Sequence, residues 1–291
     1  MAAEAIKQIR KRKYEPLHEE AKQGAHGSVI LCRDEKKCIV AVKKIEESEA
    51  REKETEIHAL REIAAYKRIK NHDNILSLLE IIHESSMFLV LTAMDMTLSD
   101  VLRSCNDDDI LFSYKEQLAK GIAFCHSHKI MHRDIKPQNI LVTNTNLKIG
   151  DFGLAKRIRD GKQHSICAVT LWYRPIEILL GDSYYNETID VWSCACEFYE
   201  IDTKQRLFAG DSEVDTLMKI YLCLGMVTED NLPNCKRLPN YNSDIKFKKK
   251  DQMKGFPSLY LKMLKYDKKE RIRSHDVCRQ LHKDVKVVLK H

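Results

Sequence analysis

A change of hydrophobic period near residue 92 constrains this chain more than any other feature. Before it, short runs rich in β-branched and apolar residues, Val29–Cys32, Cys38–Ile45, Ile75–His83 and Met87–Leu91, predict four strands. Between the second and third runs, the charged stretch Arg51–Lys70 sets Ile57, Leu60, Ile63, Ala64 and Ile69 at helical spacing. After Thr92 the pattern turns helical. Thr97-Leu98-Ser99-Asp100 fits a capping box, and Ile110–Lys129 places Ile110, Tyr114, Leu118, Ile122 and Cys125 on one face. A second capping box, Ser212-Glu213-Val214-Asp215, precedes Leu217, Ile220, Tyr221 and Leu224, and Ser274–Lys290 closes the chain amphipathically. Strands first and helices afterwards imply an α+β fold of two lobes, a small antiparallel β-sheet lobe with one key helix (1–92) and a larger helical lobe (93–291). The crevice between them is the natural ligand site.

A length of 291 residues suffices for such a pair of lobes, and 43% hydrophobic with 32% charged residues is an ordinary globular balance. Ten Gly and six Pro exclude a collagen-like or proline-rich chain. No run reaches the ~18 apolar residues of a membrane helix, and MAAEAIKQIRKRK lacks the apolar centre of a secretory leader. Ten Cys without a zinc spacing then read as reduced thiols of the nucleus or cytoplasm. The net charge of +6 suits an anionic ligand and falls short of a nucleic-acid footprint, so neither nucleic acid nor membrane is expected as a partner. The basic runs Arg10–Lys13 and Lys246–Lys250 read as a solvated tail and a solvated loop.

Four groups carry chemistry. In Gly24-Ala25-His26-Gly27-Ser28-Val29, two glycines three apart let backbone N–H groups approach phosphate oxygens, although an ordinary hairpin explains them equally well. Val40-Ala41-Val42-Lys43 is an apolar strand ending in a cation able to hold phosphate; a lone lysine of this kind is more often a surface residue. His132-Arg133-Asp134-Ile135-Lys136-Pro137-Gln138-Asn139 supplies a carboxylate to accept a proton, a cation near a transferring group, and an amide oxygen for a metal. Asp151-Phe152-Gly153 follows a strand-like run and offers hard oxygens to Mg²⁺. Each alone is weak. Their order, with Glu62 on the intervening helix, is a protein-kinase signature set.

From about Tyr14 onward the sequence resembles the eukaryotic protein kinases, and the cyclin-dependent kinases in particular. Ala59-Leu60-Arg61-Glu62-Ile63 is similar to the end of a PSTAIRE-type helix. Val169-Thr170-Leu171-Trp172-Tyr173-Arg174, Glu177-Ile178-Leu179-Leu180-Gly181, Asp190-Val191-Trp192-Ser193 and Phe208-Ala209-Gly210-Asp211-Ser212-Glu213 continue the likeness. So do Leu238-Pro239-Asn240-Tyr241 and Asp267-Lys268-Lys269-Glu270-Arg271-Ile272.

The resemblance implies a bilobal protein-kinase-like fold and transfer of the γ-phosphate of ATP to Ser or Thr, in cell-cycle or transcription control. It assigns Lys43 to the α- and β-phosphates, paired with Glu62, and Asn139 and Asp151 to Mg²⁺. Asp134 would deprotonate the substrate hydroxyl, with Lys136 steadying the γ-phosphate. Gly24 and Gly27 would cover the phosphates. Val29, Ala41 and Leu141 would line the adenine slot with Leu91 at its back, and backbone groups at Thr92, Ala93 and Met94 would bond the base. Glu177 would pair with Arg271, and Asp190 would brace the catalytic loop. Ser165 falls at the activating phosphorylation position, where Arg61, Arg133 and Lys156 would clamp a phosphate. Val169 and Arg174 would form a pocket for proline after the target residue. The expected partners are protein substrates with Ser/Thr-Pro sites and a cyclin-type subunit.

Three departures qualify the likeness. Lys22 stands where the family has its first loop glycine, Ala25 and His26 replace an inhibitory Thr-Tyr pair, and Pro175-Ile176-Glu177 replaces Ala-Pro-Glu. Two alternatives stay open at this point: a kinase that activates other cyclin-dependent kinases without a cyclin of its own, and a pseudokinase scaffold.

Overall fold

The computed structural model describes residues 9, 13–18, 22–24, 27–45, 52–83, 86–159, 161–165, 169–245 and 256–288. Ala25, His26 and most of both basic runs lie outside the described residues.

The first lobe is an antiparallel sheet of β1 (Glu15–Pro16), β2 (Lys22–Gly24), β3 (Gly27–Arg33), β4 (Ile39–Lys44), β5 (Leu78–His83) and β6 (Met87–Thr92). The strand order is β1-β3-β4-β6-β5, with β2 also on β3. Alternation sorts the side chains between two faces. Val40, Val42, Phe88 and Val90 join Ile30, Cys32 and Ile82 in a small core on one face. Ala41 and Lys43, opposite Leu91 and Leu89, therefore belong to the other face, where the crevice lies.

Helix α1 (Glu52–Arg68) covers that second face; of the stripe the spacing predicts, Ile63 and Ile69 are buried but Ile57, Leu60 and Ala64 are exposed. Ile57 and Leu60 are 44% and 60% exposed, while Ala59, Glu62, Ile63, Tyr66 and Ile69 are buried. The buried face contains a glutamate because that glutamate answers Lys43, so hydrophobicity alone misplaces it. The third predicted strand also begins late. Ile75 makes a lone parallel bridge to Ile149, with Leu76 N–H donating to Ile149 O at 2.9 Å, and so joins the second lobe instead of β6.

In the second lobe, β7 (Met96–Thr97) leads into α2 (Leu98–Val101), whose start carries the full Thr97–Asp100 capping box. The central helices are α3 (Asp108–Ser127) and α5 (Thr188–Thr203), with the short α4 (Ile176–Leu179) between them in sequence. Around them lie α6 (Glu213–Leu224), α7 (Ser258–Met263) and α8 (Ser274–Val288). The pairs β8 (Ile130–Met131) with β11 (Lys156–Arg157) and β9 (Ile140–Thr143) with β10 (Asn146–Ile149) face the first lobe's helix and sheet. In α3 the predicted Tyr114, Leu118, Ile122 and Cys125 are buried, and only the first member departs, Ile110 being half-buried and Leu111 buried beside it. Gly121 of α3 must be glycine: a Cβ there would meet Ile149 Cδ1 at 2.7 Å and Asn74 O at 3.0 Å. The predicted box at Ser212 is half formed. Ser212 Oγ accepts from Asp215 N–H at 3.1 Å, but the Asp215 carboxylate accepts from Asp211 N–H instead, one residue earlier.

Helix α5 is buried through most of its length, from Thr188 to Phe198, and its Trp192 stacks with Phe208. Glu197 sits inside it with no exposure, and neither carboxylate oxygen finds a hydrogen-bond partner among the described residues. Burial, with Glu200 adding repulsion, pushes its pKa well above the ordinary glutamate value. The folded protein thus keeps a proton that the unfolded chain releases above the usual carboxylate range. This contribution to stability is full below that range and declines as pH rises toward the raised folded value. Glu197→Gln should flatten the decline, and Glu197→Leu should stabilise the protein at neutral pH by about 1–3 kcal/mol, the cost of an unpartnered buried polar group. Thermal melts from about pH 5 to about pH 8 check both, a persisting slope in Glu197→Gln being the contrary result.

Candidate active site

The crevice between the lobes is a cavity of about 770 Å³. Its apolar part is lined by Val29, Leu31 and Ala41 from the sheet, Leu76 and Leu91 deeper in, Leu141 from β9, and Thr92 and Met94 on the connecting segment. Ala93 lies in the same segment without lining the cavity. Gly24 and Gly27 are cross-strand partners at the β2–β3 turn, next to Lys22 opposite Val29.

The other end of the cavity is polar. Lys43 Nζ donates to Glu62 Oε2 at 2.9 Å and Oε1 at 3.1 Å, and lies 3.6 Å from Asp151 Oδ1. Burial alone would lower the lysine's pKa, but the two carboxylates outweigh it and hold the ammonium form above its ordinary range. A fixed positive charge thus stands at the inner end of an otherwise apolar slot. Asp151 itself has φ +54°, a left-handed conformation uncommon outside glycine, and Gly153 follows it. Phe152, fully buried, holds this turn by edge-on contacts with Tyr66 of α1 and with His132, at centroid distances of 5.1 and 4.7 Å.

The loop after β8 is fixed from below. Asp190 of α5 is buried and accepts from the backbone N–H of His132 and of Arg133, both at 2.8 Å, and from His126 Nε2 at 2.9 Å. Burial would raise its pKa, yet these donors hold it below the usual aspartate value. Arg133 adopts φ +70° under this restraint. His132 Nδ1 accepts from Asp134 N–H at 3.2 Å, so Nε2 carries the proton donated to Gly150 O at 2.9 Å. The loop and the Asp151 turn are thereby tied to each other.

Asp134, only 2% exposed, receives three donors on its carboxylate. Thr170 Oγ1 donates to Oδ1 at 2.6 Å, and Lys136 Nζ and Asn139 Nδ2 approach Oδ2 at 2.8 and 2.9 Å. Lys136 also donates to Thr170 Oγ1 at 3.1 Å. Asn139 spends its amide N–H on Asp134, which leaves its carbonyl oxygen to offer a cation. With the Asp151 carboxylate lining the same cavity, this is a donor set of hard oxygens that suits Mg²⁺ completed by phosphate and water. Lys43, Glu62, Lys136, Asn139, Asp151 and Thr170 all line the one crevice, and Asp134 meets it through Lys136 and Thr170. Thr170 is the member that sequence reasoning passed over: its position was visible within Val169–Arg174, but its contact with Asp134 spans 36 residues.

The remaining candidates gather at two further points. Arg133 donates to Leu154 O at 2.8 Å, to Tyr185 Oη at 2.8 Å and to Ser165 Oγ at 3.3 Å, and Ser165 is exposed. Burial first, then the charges of Arg133 and Arg61, lower the pKa of Lys156, and of these cations Arg133 is the one that contacts Ser165 among the described residues. Arg174 Nε donates to Val169 O at 3.0 Å, and its guanidinium pairs with Glu213. Pro175 immediately precedes α4, and Glu177 still forms a buried two-point ion pair with Arg271 at 2.7 and 2.8 Å. The unusual Pro175-Ile176 pair therefore leaves that anchor intact.

Residues 17–282 match the family model described as the protein kinase domain. Replacing Asp190 tests the geometry below that site. Asp190→Ala should cost about 3–5 kcal/mol, because it strips a buried charge from three donors, and should speed hydrogen exchange at the His132 and Arg133 amides. Unchanged exchange there would show that the loop holds itself.

Proposed function

The chain belongs to the protein kinase family, and from that premise we propose that it is an active Ser/Thr kinase of the cyclin-dependent type that prefers Ser/Thr-Pro sites. Membership implies protein substrates and ATP as phosphoryl donor. The reading as an active enzyme rests on one observation above the others: Lys43, Glu62, Asn139 and Asp151 line a single crevice, and Asp134 is held at its wall by Asn139 and by Lys136 and Thr170, which line it. This opposes the pseudokinase reading, because a scaffold has no need of an oriented proton acceptor.

In the proposed reaction the apolar slot takes adenine, and Lys43 holds the inner phosphates as a point charge. Asp134 accepts the proton of the incoming hydroxyl. Thr170, Lys136 and Asn139 fix its carboxylate in one orientation, which reduces the reorganisation needed at transfer. Lys136 stabilises the charge that builds on the transferring group. Mg²⁺, when bound by Asp151 and Asn139, would neutralise phosphate charge. A Ser or Thr hydroxyl is the acceptor suited to a carboxylate so closely surrounded by Lys136, Asn139 and Thr170.

The preference for proline has a physical basis in Val169. Its carbonyl is already occupied by Arg174 Nε at 3.0 Å, so a substrate N–H at the following position would find no acceptor there. Proline has no N–H to satisfy and escapes that cost. The exposed Ile57 and Leu60 on α1 support a regulatory subunit of cyclin type, since they form an apolar face beside Glu62. The closed Lys43–Glu62 pair in the single chain favours a second reading, a kinase that activates its relatives without a cyclin. Phosphorylation of Ser165, in the nucleus or cytoplasm, would bring a charge of about −1.5 to −2 against Arg61, Arg133 and Lys156.

Transfer of labelled phosphate from ATP to a Ser-Pro peptide tests the activity. Asp134→Asn should lower kcat by about 10²–10⁴-fold with little change in KM for ATP, and equal rates would exclude catalysis by Asp134. A Ser-Pro peptide should exceed its Ser-Ala counterpart about tenfold or more in kcat/KM, a margin that should shrink in Arg174→Ala as the Val169 carbonyl is freed. Rates with and without an added cyclin separate the two readings, and unchanged activity and partner binding in Ser165→Ala would remove Ser165 from regulation.

A further inference from the structure

We infer that a second, basic cavity between α1 and the β8–β11 pair is a docking site for an acidic peptide segment of a partner protein. It has a volume of about 530 Å³ and is separate from the crevice. Five cations line it: Arg61, Lys67 and Arg68 from α1, and Lys156 and Arg157 from β11. No carboxylate lines it, and none of the five makes an ion pair among the described residues. Lys67, Arg68 and Arg157 are exposed at its rim, but Arg61 and Lys156 are half-buried, and elsewhere the protein answers such cations, as in Lys115–Asp202 and Lys268–Asp182.

The helix dipole accounts for cations in the last turn of α1. It does not account for Lys156 and Arg157, which arrive from a strand of the other lobe. Two elements from opposite lobes thus bring like charges to one concavity. Burial, and then the Arg133 charge, lower the pKa of Arg61, as expected where positive charge is uncompensated. Among the described residues Arg68 uses only its Nε, on His128 O at 2.6 Å, so its two terminal amino groups remain for a carboxylate.

The rest of the wall decides the kind of anion. Ala64, Ala65, Ile130 and Ala155 supply small and apolar surface among the charges. A peptide alternating acidic and apolar side chains satisfies both halves of this lining, whereas a nucleic-acid backbone needs a continuous basic track and gains nothing from an apolar recess. The site extends beyond the Ser165 neighbourhood through Lys67, Arg68 and Arg157, and does not depend on the proposed kinase activity or on phosphorylation.

Fluorescence anisotropy of the full chain with a short labelled peptide of Asp and Glu around a central Leu tests the inference. We expect saturable binding that weakens with added salt. The double variant K67A/R157A should bind about tenfold more weakly or worse, while its melting temperature and its phosphate transfer to a free peptide stay unchanged. Arg157→Lys should retain binding, and so should Ser165→Ala. Absence of saturable binding, indifference to K67A/R157A, loss in Ser165→Ala, or tighter binding of an oligonucleotide at the same salt would each overturn the assignment. None of these results bears on the activity assay, so the two readings fail separately.

Discussion

The carboxylate of Asp190 is the constraint on which the rest of the site depends. It is buried in α5 and bonded to two consecutive backbone amides, and it fixes the loop at the residue where the chain turns left-handed. A non-glycine residue at φ +70° costs of order 1–3 kcal/mol, which an ionised acceptor of two N–H groups can offset. Everything downstream inherits the result. Arg133 is aimed at Ser165 and Leu154, Asp134 faces Thr170, and His132 reaches Gly150 to set the entry to the Asp151 turn. Removing that charge would free several groups at once, which is why a single carboxylate far below the cavity governs its geometry.

The upper half of the site depends on a second electrostatic link. Lys43 belongs to the sheet, Glu62 to α1 and Asp151 to the second lobe, and their charges meet within 4 Å. Each side chain alone would be expensive to bury; together they satisfy one another. The consequence is mechanical as well as electrostatic. Rotating α1 away from the sheet would take Glu62 from Lys43 and leave Asp151 to answer it, so the helix's orientation and the cavity's charge are coupled. Phe152 adds to this by packing on Tyr66, so the Asp151 turn and α1 must move together.

These dependencies explain how much could be read from the chain. Residues whose chemistry is local to a short motif were legible: Lys43 at a strand end, Asp134 and Asn139 in one loop, Asp151 before Gly153. The four longer strands of the first lobe were legible too, because alternation is local, whereas two- to four-residue strands such as β1, β7 and β9 are too short to show a period. The face of α1 was not, since its buried side is chosen by Glu62 meeting a lysine nineteen residues away, not by hydrophobicity. Helix α5 gave no periodic signal because it is buried nearly all round, and only its opening residues, Asp190 to Ser193, stood out. Ile75 failed as a strand residue for a related reason: its partner is Ile149, in the other lobe. Thr170 was missed because its partner lies across the cavity.

The departures at Lys22 and Pro175 differ in what they touch, and the difference follows from the same logic. Pro175 comes at the start of α4, where a missing N–H removes nothing that the helix would have used. Glu177, two residues on, keeps both oxygens on Arg271 with almost no exposure, and Arg271 also stacks over Trp192 of α5. The anchor is therefore set by a buried pair and an aromatic face, neither of which reads the identity of residues 175 and 176. Lys22 lies in β2, a strand that among the described residues pairs only with β3. Its backbone continues that ladder opposite Val29, a place in a strand that does not require the glycine's conformational freedom. A motif position cannot change where, as at Glu62 or Asp190, its neighbours use its charge.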